Sequence, residues 1–387
     1  MRALRLWLAT GLCLAAVDIV LFRVGLFWWF TPDFGSDANW ATWAQVYTLA
    51  REFETRAADP NTALVAGDSI VLTGVDTEII QSKLAEQDVP ADVLPVAAFG
   101  TTVTDAAILT WSSRHLDPWL VIYGLEAHNF KKPGGFITTD TPIKRVLYDS
   151  SLELPLLQRK GAEEIIDAWV RRYWKLYRYK LFAGKILTLE SRRLVDAIGA
   201  RLARADESVP TDATDYQRYF DPMRVRPESF AIWQRWRQSR RFEDYADFLR
   251  SGPAGDALLN YYYKLETLDL CGPQDNGHAA SLDWMLDFLH RRGTRIVVLY
   301  FPENPVFRAT EARPYFQPEL SEAVASFAAR TTVRYRGRFI DLRTFLPAED
   351  FIDLRHPNLE GRRVLSARIA QIVAEEWRAR SAEVGGP

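Results

Sequence analysis

Cysteine, methionine and histidine are scarce in this chain, with two, three and five copies in 387 residues. Cys13 lies in an apolar run and Cys271 far along the chain, so no disulfide framework can form. The histidines fall at 115, 128, 278, 290 and 356, too scattered to suggest a dedicated metal site, and no metal or cofactor is expected. A dominant charge is also lacking: 48 Lys and Arg oppose 50 Asp and Glu, which gives no general attraction to nucleic acid. Gly-x-Ser-x-Gly, Gly-x-Gly-x-x-Gly, Walker, Cys-x-x-Cys and His-Glu-x-x-His motifs do not occur. No repeat of roughly 20–50 residues is present, which excludes a solenoid. With 48% hydrophobic and 25% charged residues, what remains is a globular chain of one large domain or two ordinary ones.

One long apolar run is present. From Leu6 to Phe22 there are 17 residues in which Asp18 is the only charge. As a helix this run spans about 25 Å, and continuation to Phe30 would cross a bilayer if Arg23 reaches the interface. Trp28 and Trp29 then fall where an aromatic belt belongs. No small-x-small cleavage site follows before Asp33, and Leu12 before Cys13 is wrong for lipoprotein processing, so the run reads as an uncleaved transmembrane anchor. Arg2 and Arg5 precede it and Asp33 and Asp37 follow. The positive-inside rule therefore leaves a single-pass protein with its domain outside the inner (cytoplasmic) membrane, in the periplasm or its equivalent. Asp18 has two readings: a carboxylate near water, or a polar contact with another membrane protein.

Residues 40–58 have helical spacing and lead from the anchor to the domain. Five unbroken apolar runs then read as strands buried on both faces: Ala63–Ala66, Val93–Ala97, Leu120–Tyr123, Arg295–Phe301 and Phe339–Leu342. Helical patterns separate or follow them, at Val71–Leu84, Asp105–His115, Leu282–Arg292 with Gly293 as its stop, Leu320–Ala329 and Leu359–Trp377. The alternation specifies a doubly wound α/β sandwich. Residues 1–30 are the anchor, 31–60 a helical linker and 61–387 the domain, with a helical insertion over about 130–280 carried by the same domain.

Gly67-Asp68-Ser69 ends the first strand and opens a helix. A serine there stands at the rim where parallel sheets bind ligands, beside helix N–H groups that can face an oxyanion. Its other reading is a helix cap. Asp353-Leu354-Arg355-His356 precedes the last helix, after the last strand. A serine nucleophile needs a base, and the base an orienting acceptor. His356 and Asp353 can supply both from one segment at the same sheet edge as Ser69; the alternative is a solvated loop histidine and a capping aspartate.

Gly-Asp-Ser after strand one, with Asp-x-x-His before the final helix, resembles the SGNH (GDSL-like) hydrolases over most of residues 60–380, apart from the insertion. The resemblance implies a flavodoxin-like three-layer sandwich of about five parallel strands. It makes Ser69 the nucleophile and an oxyanion donor, His356 the base and acid, and Asp353 its orienter. Gly100, in Ala98-Phe99-Gly100 after strand two, corresponds to the family's oxyanion glycine, although a glycine there also suits a tight turn. The third block departs from the family. Where Gly-x-Asn-Asp is expected, the chain has Gly124-Leu125-Glu126-Ala127-His128-Asn129, so Glu126 replaces the oxyanion asparagine and Asn129 is the substitute donor. Losing one such donor costs roughly 10²–10³ in rate.

Residues 169–185 carry six basic and no acidic residues from Arg171 to Lys185, interleaved with aromatics. Ile166, Val170, Tyr173, Tyr177 and Leu181 share one helical face, and Arg171, Lys175 and Arg178 another. This is either an amphipathic helix on the domain or a surface for anionic headgroups or an anionic envelope polymer. By its layout the chain resembles proteins that act beside membrane-bound O-acyltransferases. The leading expectation is therefore an O-acyltransferase, most simply an acetyltransferase, modifying an envelope polysaccharide. A carbohydrate or lipid esterase, and a non-catalytic scaffold in an acylation complex, are the alternatives.

Overall fold

In the computed structural model of the protein each of the five apolar runs is a strand: β1 Thr62–Gly67, β2 Asp92–Ala97, β3 Leu120–Leu125, β4 Arg295–Tyr300 and β5 Arg338–Asp341. The residues described are 2–23, 38–98, 100–130, 142–147, 166, 170, 173–179, 277–308, 318–351 and 355–384. In chain order the helices are α1 (Arg2–Asp18), α2 (Ala38–Thr55), α3 (Ser69–Gly74), α4 (Thr77–Ala85), α5 (Val103–Ser112), α6 (Pro142–Leu147), α7 (Lys175–Arg178), α8 (Gly277–Arg291), α9 (Pro318–Arg334) and α10 (Leu359–Val384). A further short turn covers Pro305–Arg308.

The chain forms two units, a sheet-bearing one (Ala57–Thr141, Leu154–Gln158, Val225–Pro387) and a helical one (Met1–Arg56, Pro142–Glu153, Arg159–Arg224). All pairings in the sheet are parallel and the order is β2-β1-β3-β4-β5. Every residue of β1 and β3 is buried. Ala63, Val65, Leu120, Ile122, Val297 and Leu299 meet Ile80 and Leu84 of α4 and Leu365, Ile369 and Val373 of α10 in one core. The alternate residues Leu64, Val121 and Val298 are as deeply buried, under α5, α8 and α9. Each large side chain removed from water contributes about 1.5–3 kcal/mol, which is why unbroken apolar runs mark this kind of strand.

Two glycines let α3 lie close against the sheet. A Cβ on Gly67 would meet Val71 Cγ2 at 2.3 Å, and one on Gly124 would meet Phe301 Cε2 at 2.1 Å and the same Val71 methyl at 2.8 Å. The ends of β1 and β3 are thus bare where the first turn of α3 crosses them. The sequence suggests one helix over Val71–Leu84, but there are two. Gly74 ends α3, and the Asp76 carboxylate starts α4 by accepting from the N–H groups of Glu78 and Ile79. Gly293, at φ +73°, stops α8 in the left-handed conformation its sequence position implies.

The helical unit differs from expectation at the N-terminus. Among the described residues no helix is long and apolar enough to cross a membrane. α1 has 17 residues and runs into a π-helical turn, Ile19–Arg23, at Asp18. Residues 24–30 of the expected span, with Trp28 and Trp29, lie outside the described residues. Asp18 is buried, and its Oδ1 accepts from the Leu176 N–H at 2.5 Å, so its partner belongs to the basic aromatic segment of the same chain. That segment is not one continuous helix: Trp174 has an extended backbone immediately before α7. Lys175 pairs with Glu54, and Arg178 donates to the carbonyls of Val146 and Leu147 at 2.7 and 3.1 Å. These two basic residues therefore bind the unit's own helices. Most of the 130–280 stretch lies outside the described residues.

Glu54 holds α2 to α7, accepting from Lys175 and from the Tyr179 hydroxyl. Burial alone would raise its pKa. The hydrogen bond and charge of Lys175, with Arg178 and Tyr179, outweigh that and hold it below the usual glutamate range. A depressed folded value means that this stabilisation is complete above the unfolded pKa, about 4.3, and is lost as pH falls through the folded one. Glu54→Gln should therefore melt below wild type at neutral pH, with the gap closing in acid. An equal gap at both ends of a thermal-unfolding series would refute this.

Candidate active site

β1 ends at Gly67, and the chain turns at once into α3. Asp68 caps that helix, its Oδ1 accepting from the Ile70 N–H at 2.9 Å. Ser69, the next residue, is 8% exposed. Its carbonyl accepts from the Thr73 hydroxyl at 2.9 Å, which ties the first turn to the second. The strand order reverses between β1 and β3, and side chains from the ends of both strands meet there, where doubly wound sheets bind ligands.

His356 arrives from the opposite end of the sequence. Its loop is closed at the base by a bridge between Phe351 and Pro357 and by the Asn358 N–H donating to the Asp350 carbonyl at 2.8 Å. Asn358 then caps α10, accepting from Glu360 N and Gly361 N at 2.9 and 3.0 Å. On this loop His356 Nε2 lies 3.1 Å from Ser69 Oγ, a hydrogen bond between residues 287 positions apart. That is the separation at which an imidazole can take a hydroxyl proton. Asp353 lies outside the described residues.

Gly100 follows β2 in an exposed turn at φ +68°, a left-handed conformation that favours glycine. Asn129 is buried beside Asp68, but its role differs from the expected one. Nδ2 donates to Asp68 Oδ2 at 2.9 Å and to the Thr101 carbonyl at 3.1 Å, while Oδ1 accepts from the Glu126 N–H at 2.8 Å. Both amide protons are spent on fixed protein acceptors. The side chain ties together the segments that follow β1, β2 and β3, and offers no donor to an oxyanion.

Glu126 does not stand as an isolated carboxylate. It forms an ion pair with Arg355, whose Nη1 lies 3.1 Å from His128 Nε2. A guanidinium only donates, so His128 Nε2 accepts and its proton sits on Nδ1, 3.7 Å from Glu126 Oε1. Asp68, Glu126, His128, Asn129 and Arg355 are all below 9% exposed. Burial pulls the Arg355 pKa down to about 10, against the opposing charge of Asp68, which leaves it a cation at neutral pH. Tyr123, on β3, is pushed well above the usual phenol range by burial and by the charges of Asp68 and Asp105, so its hydroxyl keeps its proton. Asp68, Glu126 and His128 each offer a metal-ligand atom within 4.8 Å of the others. The Arg355 guanidinium already pairs with Glu126 and His128 and supplies the cationic charge, so the residues present do not call for a metal.

Arg355 and His128 escape a motif search because neither belongs to the serine–histidine pattern, and Asp68, though part of Gly-Asp-Ser, gives no local sign of its bond to Asn129. A signal was nevertheless present: an unexpected acid in the third block and an arginine beside the expected base are charge-complementary departures.

No protein-family model matches the chain, and no curated protein matches it. Among solved structures it is similar to LAE5, described as an alpha/beta hydrolase enzyme from the metagenome of Lake Arreo, Spain. Identity is 12% and the TM-score 0.35, over 82% of this chain and 96% of that one, a likeness too loose to bear on the site. The fold itself is α/β with a five-stranded parallel sheet.

Because Gly67 lies under Val71, Gly67→Ala should lift the turn that carries Ser69. Overpacking of this kind costs roughly 1–3 kcal/mol. A displacement near 1 Å at the hydroxyl lowers any Ser69 reactivity by about 10². Thermal unfolding and the rate of covalent labelling check the two effects, and unchanged values for both would contradict the close-approach account.

Proposed function

We propose that the protein is a serine acyl enzyme of the SGNH type. The observation that carries the reading is the 3.1 Å contact between Ser69 Oγ and His356 Nε2 at the strand switch point. His356 takes the hydroxyl proton as Oγ attacks an acyl carbonyl, and returns it to the departing group, leaving Ser69 acylated. An acceptor hydroxyl then gives its proton to His356 as it attacks the acyl carbonyl, the bond to Ser69 Oγ breaks, and His356 returns the proton to Oγ, which regenerates the serine. Asp353 is assigned the orienting role on the imidazole. The oxyanion is assigned to the backbone N–H groups of Ser69 and Gly100, since the Asn129 amide is engaged elsewhere.

Within this reading the acceptor is a sugar hydroxyl of an envelope polysaccharide, which makes the protein an O-acyltransferase, with hydrolysis of the same ester the alternative when water reaches the acyl-enzyme. A membrane-bound O-acyltransferase as the source of the acyl group, and attachment to the inner membrane through residues 6–30 with the domain outside, belong to the same proposal. Exposed Leu8, Leu12, Val17, Ile19 and Val20 support attachment, because these apolar side chains face outward while Asp18 turns to its internal partner.

Intact-protein mass spectrometry of the full chain in detergent, after exposure to a fluorophosphonate, tests the nucleophile. One adduct is expected on wild type, none on Ser69→Ala, and a rate lowered by roughly 10⁴-fold or more on His356→Ala. Equal labelling of wild type and Ser69→Ala would contradict the assignment. With an activated acetyl ester as donor, acetyl appearing on an added glycan in place of free acetate separates transfer from hydrolysis.

A further inference from the structure

The buried ion pair beside the site lies one residue from the base. Arg355 immediately precedes His356, so any constraint on the Arg355 backbone is passed directly to the imidazole. At its base the loop is held by the Phe351–Pro357 bridge and by Asn358. On the site side, the described contacts of Arg355 run to Glu126 and His128, in the turn that follows β3. That turn is in turn fixed to Asp68, the neighbour of Ser69, because Asn129 joins the Glu126 N–H to Asp68 Oδ2. A closed chain of contacts therefore runs from His356 through Arg355, Glu126, Asn129 and Asp68 to Ser69.

We propose that Arg355 is a positioning residue for His356, with Glu126 as its anchor. The planar guanidinium is directed at two partners, Glu126 and His128, and so fixes the direction of the loop as well as its distance from β3. This explains how an acid can stand where the SGNH pattern has an oxyanion donor: its charge is neutralised by Arg355 and its function is to hold the base. The inference rests on the reading of Ser69 and His356 as a reactive pair, but its test does not depend on that reading alone.

The full chain is prepared in detergent with ¹⁵N-labelled histidine, and the five imidazoles are assigned with His→Gln variants. A fluorophosphonate is the probe of Ser69. Arg355→Lys keeps the charge and loses the fork. It should move the His356 ring signals away from their wild-type positions, leave those of His115 and His290 in place, and slow phosphonylation about 100-fold. Half-saturation in reagent should change by less than about twofold, since positioning of the base acts on the chemical step. Glu126→Gln keeps the shape and loses the charge, and should slow labelling about tenfold through loss of the ion pair with Arg355. If Arg355→Lys does not fold, seen as loss of the His115 and His290 signals, Glu126→Gln supplies the same readouts. Wild-type His356 signals and labelling rate in a folded variant overturn the proposal. Shifted His356 signals on a chain that is never labelled even as wild type uphold the positioning role and refute the nucleophile.

Discussion

The site depends on one electrostatic contact, the buried pairing of Arg355 with Glu126. The first residue comes from the loop before the last helix and the second from the end of the third strand. The pairing ties the turn after the third strand to a loop that lies more than 280 residues along the chain from Ser69 and is also held at its base. Burying two charges is costly, and apolar residues of similar volume often hold such a space as well or better. A guanidinium that pairs with Glu126 and also meets His128 Nε2 adds orientation, which apolar packing supplies less sharply. Removing either partner alone would leave an uncompensated buried charge, commonly a loss of about 3–5 kcal/mol.

The remaining parts of the site follow from how closely the backbone segments approach one another. Glycines at the ends of β1 and β3 allow Val71 to sit over both strands, and this brings α3, with Ser69 at its start, onto the sheet. Asp68 serves twice, capping that helix through one oxygen and receiving Asn129 through the other. Asn129 then fixes the turn after β2 through the Thr101 carbonyl. Three strand ends and one distant loop are thereby joined in a region that is almost dry. Its polar groups are strongly coupled there because little water screens them.

The central strands β1, β3 and β4 are readable from sequence because burial on both faces leaves unbroken apolar runs. The edge strands β2 and β5 are partly exposed, contrary to that expectation, yet all five appear within a residue or two of the expected limits. Ser69 and His356 were readable as motifs, and the fold brings them into contact. Less was readable where a residue's partner lies far away in sequence. Asp18 reads as a membrane carboxylate until Leu176 N–H is seen to satisfy it, and Asn129 reads as an oxyanion donor until Asp68 and Thr101 claim its amide. The helix after β1 was read as continuous because the apolar spacing carries through, whereas Gly74 and the Asp76 cap divide it. Glu126 reads from sequence only as a lost oxyanion donor, because nothing local to it announces Arg355.

A double-mutant cycle on Glu126→Gln and Arg355→Lys, read as the phosphonylation rate of Ser69, tests the central claim most directly. If the pair acts as one device holding His356, the second substitution adds little to the first, and a coupling of about 1 kcal/mol or more is expected. Losses that simply add, within about 0.3–0.5 kcal/mol, would show two independent effects and contradict the account.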